Sequence, residues 1–192
     1  MRRFNDLTQE YFGQLNGQEQ ELFHSYFKEE KLQKNGFFTK SGKVGDKFSF
    51  VKSGILRMYV LTDGKEITQW ISAENSMVTD VAGFFFDQPN RWNIQAFTDT
   101  ELLTITKTDY LRLCEELPTW NVIEKRFILK CFMMMEDRIF SHLAMSAEER
   151  YDLYYRQNRE LFNHVPLQHI ASVLGMTAET FSRIRKRKTA NS

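Results

Sequence analysis

The sequence predicts an α+β chain: a β-rich N-terminal region packed with aromatics, then one long helix, then an all-α C-terminal module. Three observations predict it. Between Phe48 and Ile105, short segments alternate with a period of two and are broken by turn signals. From Trp120 to about Leu143, apolar residues recur at helical spacing. From Leu167 onward, the residues meet the constraints imposed by two helices crossing at a tight turn.

With 42% hydrophobic and 27% charged residues, the composition is that of a globular chain. Seventeen phenylalanines, many in the first hundred residues, point to a β-rich core built from rings.

The first thirty or so residues read as helical, with Leu7, Tyr11, Phe12 and Leu15 on one face and Leu22, Phe23, Tyr26 and Phe27 following a break at Gly17. The period then changes to two. Phe48–Val51 and Ile55–Leu61 read as strands, punctuated by Ser41-Gly42, Gly45-Asp46, Ser53-Gly54 and Asp63-Gly64, and Ile94 to Ile105 continues the pattern with a turn at Asp99. Short, evenly spaced strands suggest a small barrel or sandwich. Asp109 is expected to open a helix that Pro118 ends or redirects.

The long helix carries two apolar stripes. One contains Trp120, Ile123, Phe127, Cys131 and Met134; the other contains Ile128, Phe132, Met135, Ile139 and Leu143. A helix lying on one globular domain needs a single stripe. The second therefore calls for another partner, and a symmetric copy of the same helix is the simplest, which makes Ile128, Phe132, Met135 and Ile139 the candidate homodimer contacts. Packing of that stripe on the chain's own C-terminal module is the competing explanation. Ser146-Ala-Glu-Glu149 forms a capping box, so a new helix of Tyr151, Leu153, Tyr154 and Tyr155 starts there and is expected to end near Asn163.

Counting from Leu167, apolar residues occupy positions 4, 8, 10, 15 and 18 (Ile170, Leu174, Met176, Phe181, Ile184), with Ala171 at 5 and Gly175 at 9. Ala171 leaves room where the helices approach, and Gly175 suits a turn that needs φ > 0. Pro166 suits the first turn of the first helix, and Thr177 suits the N-cap of the second, with Glu179 in its first turn. This is a helix-turn-helix. Ala178, Glu179, Ser182, Arg183 and Lys186 are left pointing outward, as on a helix that enters a major groove.

Charge supports the same assignment. From Pro166 to Ser192 there are five basic residues and one acid, net +4, against 21 basic and 24 acidic residues, net −3, in the rest. Glu179 can accept from a cytosine amino group, and Arg183 can bond bidentately to guanine O6 and N7. Thr177, Thr180 and Ser182 offer hydroxyls, and Arg185, Lys186, Arg187 and Lys188 offer phosphate contacts.

Other chemistries find no support. No Ser/His/Asp set, Cys/His set or Gly-rich phosphate loop has suitable spacing, so no enzyme and no catalytic residue is expected. His24, His142, His164 and His169 lack metal-ligand spacing, and Cys114 and Cys131 read as reduced, buried thiols. No stretch approaches the roughly 18 apolar residues of a membrane span. A cytoplasmic protein without membrane contact is expected.

Gly42, Gly45-Asp46, Phe50-Val51, Ser53-Gly54, Arg57, Tyr59 and Asp63-Gly64-Lys65-Glu66, with the long helix and the C-terminal Ile170-Ala171, Leu174-Gly175, Thr177, Glu179-Thr180 and Ser182-Arg183, resemble the cyclic-AMP receptor protein and fumarate/nitrate regulator (Crp/Fnr) superfamily. The resemblance covers nearly the whole chain. It implies a cyclic-nucleotide-binding-like β-roll of jelly-roll type over 1–118, a long dimerisation helix over 119–144 and a helix-turn-helix DNA-binding domain over 145–192. It also implies double-stranded DNA and a second copy as partners, with RNA polymerase and a small-molecule effector as further candidates. Glu179 and Arg183 match its base-reading positions, and Ala178 replaces the polar residue common before the Glu.

Two departures matter. Members that bind cyclic nucleotide use a Gly-Glu pair and an Arg followed by Ser or Thr, because a cyclic phosphodiester needs a guanidinium fork and backbone donors. Here the Gly-Glu pair is absent and Trp92 follows Arg91, so Thr79, Asp80, Arg91 and Trp92 mark a candidate pocket for which no cofactor is assigned and cyclic AMP is disfavoured. Many members also continue into a β-hairpin wing, whereas this sequence stops soon after Lys188. The expectation is a homodimeric, sequence-specific transcriptional regulator. The alternative is a ligand-sensing module that acts mainly through protein–protein contacts and binds DNA weakly and without sequence preference.

Overall fold

The computed structural model describes residues 15–190, so the amphipathic stretch of Leu7, Tyr11 and Phe12 lies outside the described residues. The first elements are α1 (Gly17–Tyr26), β1 (Lys28–Leu32), β2 (Phe37–Thr39), β3 (Lys47–Ser53), β4 (Leu56–Thr62), β5 (Lys65–Ser72) and β6 (Met77–Val78). They are followed by α2 (Val81–Phe86), β7 (Asn93–Ala96), β8 (Thr100–Thr106), α3 (Lys107–Glu116) and α4 (Pro118–Ala144). The C-terminal helices are α5 (Ala147–Gln157), α6 (Leu161–His164), α7 (Leu167–Val173) and α8 (Ala178–Ala190). The strands make two four-stranded sheets, ordered β1-β8-β3-β6 and β2-β7-β4-β5.

Two units divide the chain. One takes the described residues up to Met58 together with Ser72–Phe132; the other takes Tyr59–Ile71 together with Met133 onward.

In the first unit the period-two pattern sorts side chains between two cores. Antiparallel β3 and β8 pair Phe48 with Ile105, Ser49 with Thr104 and Phe50 with Leu103. Phe48, Phe50 and Ile105 face a cluster with Phe23, Phe27, Phe84, Tyr110, Leu113 and Trp120. Val51 and Leu102 point the other way, into a core with Phe38, Leu56, Val78, Ile94 and Ala96. The rings of the first cluster pack at angles, with Phe23 4.9 Å from Trp120 and Phe84 5.1 Å from Tyr110 in edge-to-face contact. Phe23, Phe27, Phe48, Phe50 and Phe84 thus join a sheet face to helices.

Local chemistry places the ends. Asn16 and Glu19 close α1 with a capping box. Helix α3 begins at Lys107 and not at Asp109, because the Thr106 hydroxyl accepts the Asp109 N–H and moves the cap forward. Pro118 starts α4, where its missing N–H is harmless. Gly54 is required: at φ +94° a Cβ there would lie 2.6 Å from the Asp99 carbonyl oxygen. Asp63 and Gly64, both with φ > 0, give the turn between β4 and β5.

Helix α4 is one continuous helix of 27 residues, as its spacing predicted. Trp120 and Ile123 are buried, and Phe127 and Cys131 half-buried, whereas Met134 of the same stripe is exposed. Ile128, Phe132, Met135 and Ile139 are all exposed, Phe132 at 59%. Cys114 and Cys131 are free thiols, half-buried, and burial pushes both above the usual thiol range. Among the described residues, no helix is long and apolar enough to cross a membrane.

Candidate nucleic-acid interface

The second unit builds its C-terminal helices from caps. Ser146 and Glu149 exchange hydrogen bonds as the capping box predicted, opening α5. The helix ends at Gln157, short of the expected Asn163. Asn158 leaves helical geometry and its amide donates to the Tyr154 carbonyl, so the side chain competes with the next helical turn. Residues Leu161–His164 form a separate single turn. Pro166 sits at the N-cap of α7, one position before the first turn assigned to it from the sequence.

The turn between α7 and α8 closes as a Schellman motif. The Met176 N–H donates to the Ala171 carbonyl and the Gly175 N–H to the Ser172 carbonyl, both at 3.0 Å, with Gly175 at φ +65°. The Thr177 hydroxyl then accepts the Thr180 N–H at 3.1 Å and caps α8. Ile170, Ala171, Leu174, Phe181 and Ile184 are all buried, as the spacing required. Phe181 is held by Tyr151 at 5.2 Å and stacks on Phe162 at 6.0 Å.

This packing fixes which face of α8 is outward. At 100° per residue, Phe181 and Ile184 define the inner side, and Glu179, Ser182, Arg183 and Lys186 lie opposite, with Ala178 beside them. These five residues are exposed, as are Thr177, Arg185 and Arg187, while Thr180 is half-buried. The basic run beyond Arg183 is not uniform. Arg187 bonds Glu148 at 2.9 Å, and Lys188 bonds Asp152 at 2.8 Å and Glu148 at 3.3 Å. Both carboxylates hold the Lys188 ammonium above its usual value. Glu148 and Asp152 are anchors that sequence reasoning missed; only the acidic first turn of α5 hinted at them.

In the first unit, Thr79, Asp80, Arg91 and Trp92 are brought together, through Asp80. Its carboxylate is 2% exposed. Oδ1 accepts the Gly83 N–H at 3.1 Å, capping α2, and Oδ2 accepts the N–H groups of Arg91 at 2.8 Å and Trp92 at 2.9 Å. Thr79 donates its hydroxyl to the Lys47 carbonyl. The Arg91 guanidinium lies over the Trp92 ring, which packs on the inner core. The main-chain donors an anion would use here are already occupied by a carboxylate of the same chain.

Residues 29–117 match the cyclic nucleotide-binding domain family. The structure is similar to FixK2 from Bradyrhizobium japonicum at a TM-score of 0.73, with 17% identity over 86% of this chain and 85% of that one. The likeness is one of fold: antiparallel sheets, a long helix and C-terminal helices in the same arrangement of elements. CLP, the c-di-GMP-responsive global regulator of Xanthomonas campestris, gives 0.68 with 15% identity over 92% and 93% of the two chains. The catabolite activator protein of Thermus thermophilus gives 0.56 with 20% identity over 92% and 85%. No curated protein sequence matches the chain.

Proposed function

We propose that this protein is a homodimeric, sequence-specific DNA-binding transcriptional regulator whose effector is not cyclic AMP. The observation that carries the reading is the outward face of α8, where Glu179, Ser182, Arg183 and Lys186 stand opposite a buried Phe181 and Ile184. Glu179 and Arg183 would read base edges, with Thr177, Ala178, Thr180 and Ser182 beside them. Arg185, Lys186 and Arg187 would contact phosphates, Arg187 by exchanging its Glu148 partner. The Crp/Fnr fold supports the same role, since it is shared with regulators.

The division of labour would be a β-roll over 1–118, a dimerisation helix over 119–144 and a DNA-binding module over 145–192. Exposed Ile128, Phe132, Met135 and Ile139 on one face of α4 support a second copy as the partner. Two recognition helices would then enter successive major grooves roughly 34 Å apart. The enclosed Asp80 carboxylate speaks against cyclic phosphate binding at Arg91 and Trp92.

The test is fluorescence anisotropy of the full chain with DNA from its own upstream region and with scrambled DNA, at two salt concentrations. Preference for the native fragment by about a hundredfold or more supports the reading. Weak, equal binding with a steep salt slope would instead favour a module that works through protein contacts.

A further inference from the structure

A cavity of about 550 Å³ lies within the second unit, walled by β5, the C-terminal half of α4, α5 and α7. Its size is that of a small-molecule site. Trp70, Phe140, Leu153 and Tyr154 supply apolar wall, and the charged groups on its lining are Arg138, Arg150 and Asp137. The two guanidiniums are fixed in place by the main chain. Arg138 donates to the carbonyls of Gln69 and Val173, and Arg150 to those of Met145 and Leu174. Arg138 also lies over the Trp70 ring, 5.8 Å from its centroid.

The acceptors are neutral, so the hydrogen bonds orient both cations without cancelling their charge. Among the described residues, no carboxylate forms an ion pair with either arginine. With Asp137 the one carboxylate on the lining against two guanidiniums, the cavity keeps a net positive charge, and a bound anion relieves the cost of a half-buried cation that has no ion-pair partner. We propose that this cavity binds a small amphipathic organic anion, a monocarboxylate with an apolar body, its carboxylate between Arg138 and Arg150 and its body against Trp70, Phe140 and Leu153.

Two further features agree with this. Burial lowers the Arg138 value and pushes the Tyr154 phenol up to about 12, so Tyr154 stays a donor at neutral pH. Val173 and Leu174, whose carbonyls the two arginines hold, end the first helix of the helix-turn-helix. The ligand would therefore act on the cations that hold α7. That consequence rests on the DNA-binding reading; the binding itself does not.

The probes are anilinonaphthalenesulfonate, read by its fluorescence with the full-length protein, and decanoate as competitor. One saturable site per chain is expected, from which decanoate displaces the dye at least about tenfold better than decanol does, because only the acid carries the charge. Leu153→Trp, which fills the space and leaves both arginines in place, should abolish that site with the melting curve retained. Arg138→Gln should weaken decanoate by about tenfold or more. Absence of a saturable site, equal displacement by decanol, or dye binding that survives Leu153→Trp overturns the proposal. The Leu153→Trp and decanol arms decide the matter even where Arg138→Gln fails to fold. Decanoate binding retained by a protein that ignores its upstream DNA would overturn the regulator reading and leave the cavity assignment standing.

Discussion

Helices α2 and α8 both begin at a polar cap, yet they treat the donors around that cap in opposite ways. At α2 the cap is a buried carboxylate, Asp80, which takes one N–H from its own helix and two more from Arg91 and Trp92. At α8 the cap is a neutral, exposed hydroxyl, Thr177, which takes one N–H and leaves the outward residues beyond it facing solvent. A charged cap folded into the core closes a helix terminus to other anions. A neutral cap on the surface leaves the adjoining face available.

Substitutions at four positions would break or sharpen this contrast. The largest effect is expected from Asp80→Ala, which strips the shared acceptor from one buried and two part-buried main-chain donors and should remove about 3 kcal/mol of stability. Urea unfolding followed by tryptophan fluorescence checks it; a loss under about 1 kcal/mol would mean that water takes over the donors and that the enclosure is not sealed. Arg183→Ala comes next, at about 1 to 3 kcal/mol on the cognate site with little change on random DNA. Equal losses on both in anisotropy titrations would reduce Arg183 to a phosphate clamp. Thr177→Ala should lower stability by about 1 kcal/mol, with Thr177→Ser near the parent protein in a thermal melt. If the two variants melt together, the hydroxyl cap is not what starts α8.

The smallest change is expected from Glu148→Gln. It should leave the fold intact and release Arg187, so that the slope of log affinity against log salt steepens by about one. An unchanged slope would place Arg187 out of reach of phosphate.

The last two helices and the turn between them were legible because their determinants are local. Gly175, Ala171 and Thr177 act on neighbours within five residues, so the Schellman bonds and the cap follow from spacing. The long helix was legible for the same reason. Asp80 was not, because two of its three partners lie eleven and twelve residues away across a loop, and no periodicity connects them. Nor were the pairs from Arg187 and Lys188 to α5, which span 39 and 36 residues. Glu148 and Asp152 look like ordinary solvated acids until α8 is folded back beside them. The strand segments were visible from alternation, but the order β1-β8-β3-β6 depends on pairings such as Lys28 with Thr104, which alternation alone does not select.

The second unit is discontinuous: Tyr59–Ile71 belongs with residues from Met133 onward. During synthesis the hairpin segment therefore leaves the ribosome 61 residues, 72–132, before its helical partners begin to emerge. At translation rates of roughly 5 to 20 residues per second, that is an interval of about 3 to 12 seconds. Trp70 and Ile71 spend it without the helices that later wall the cavity, so the apolar surface of this segment stays uncovered by them for that interval.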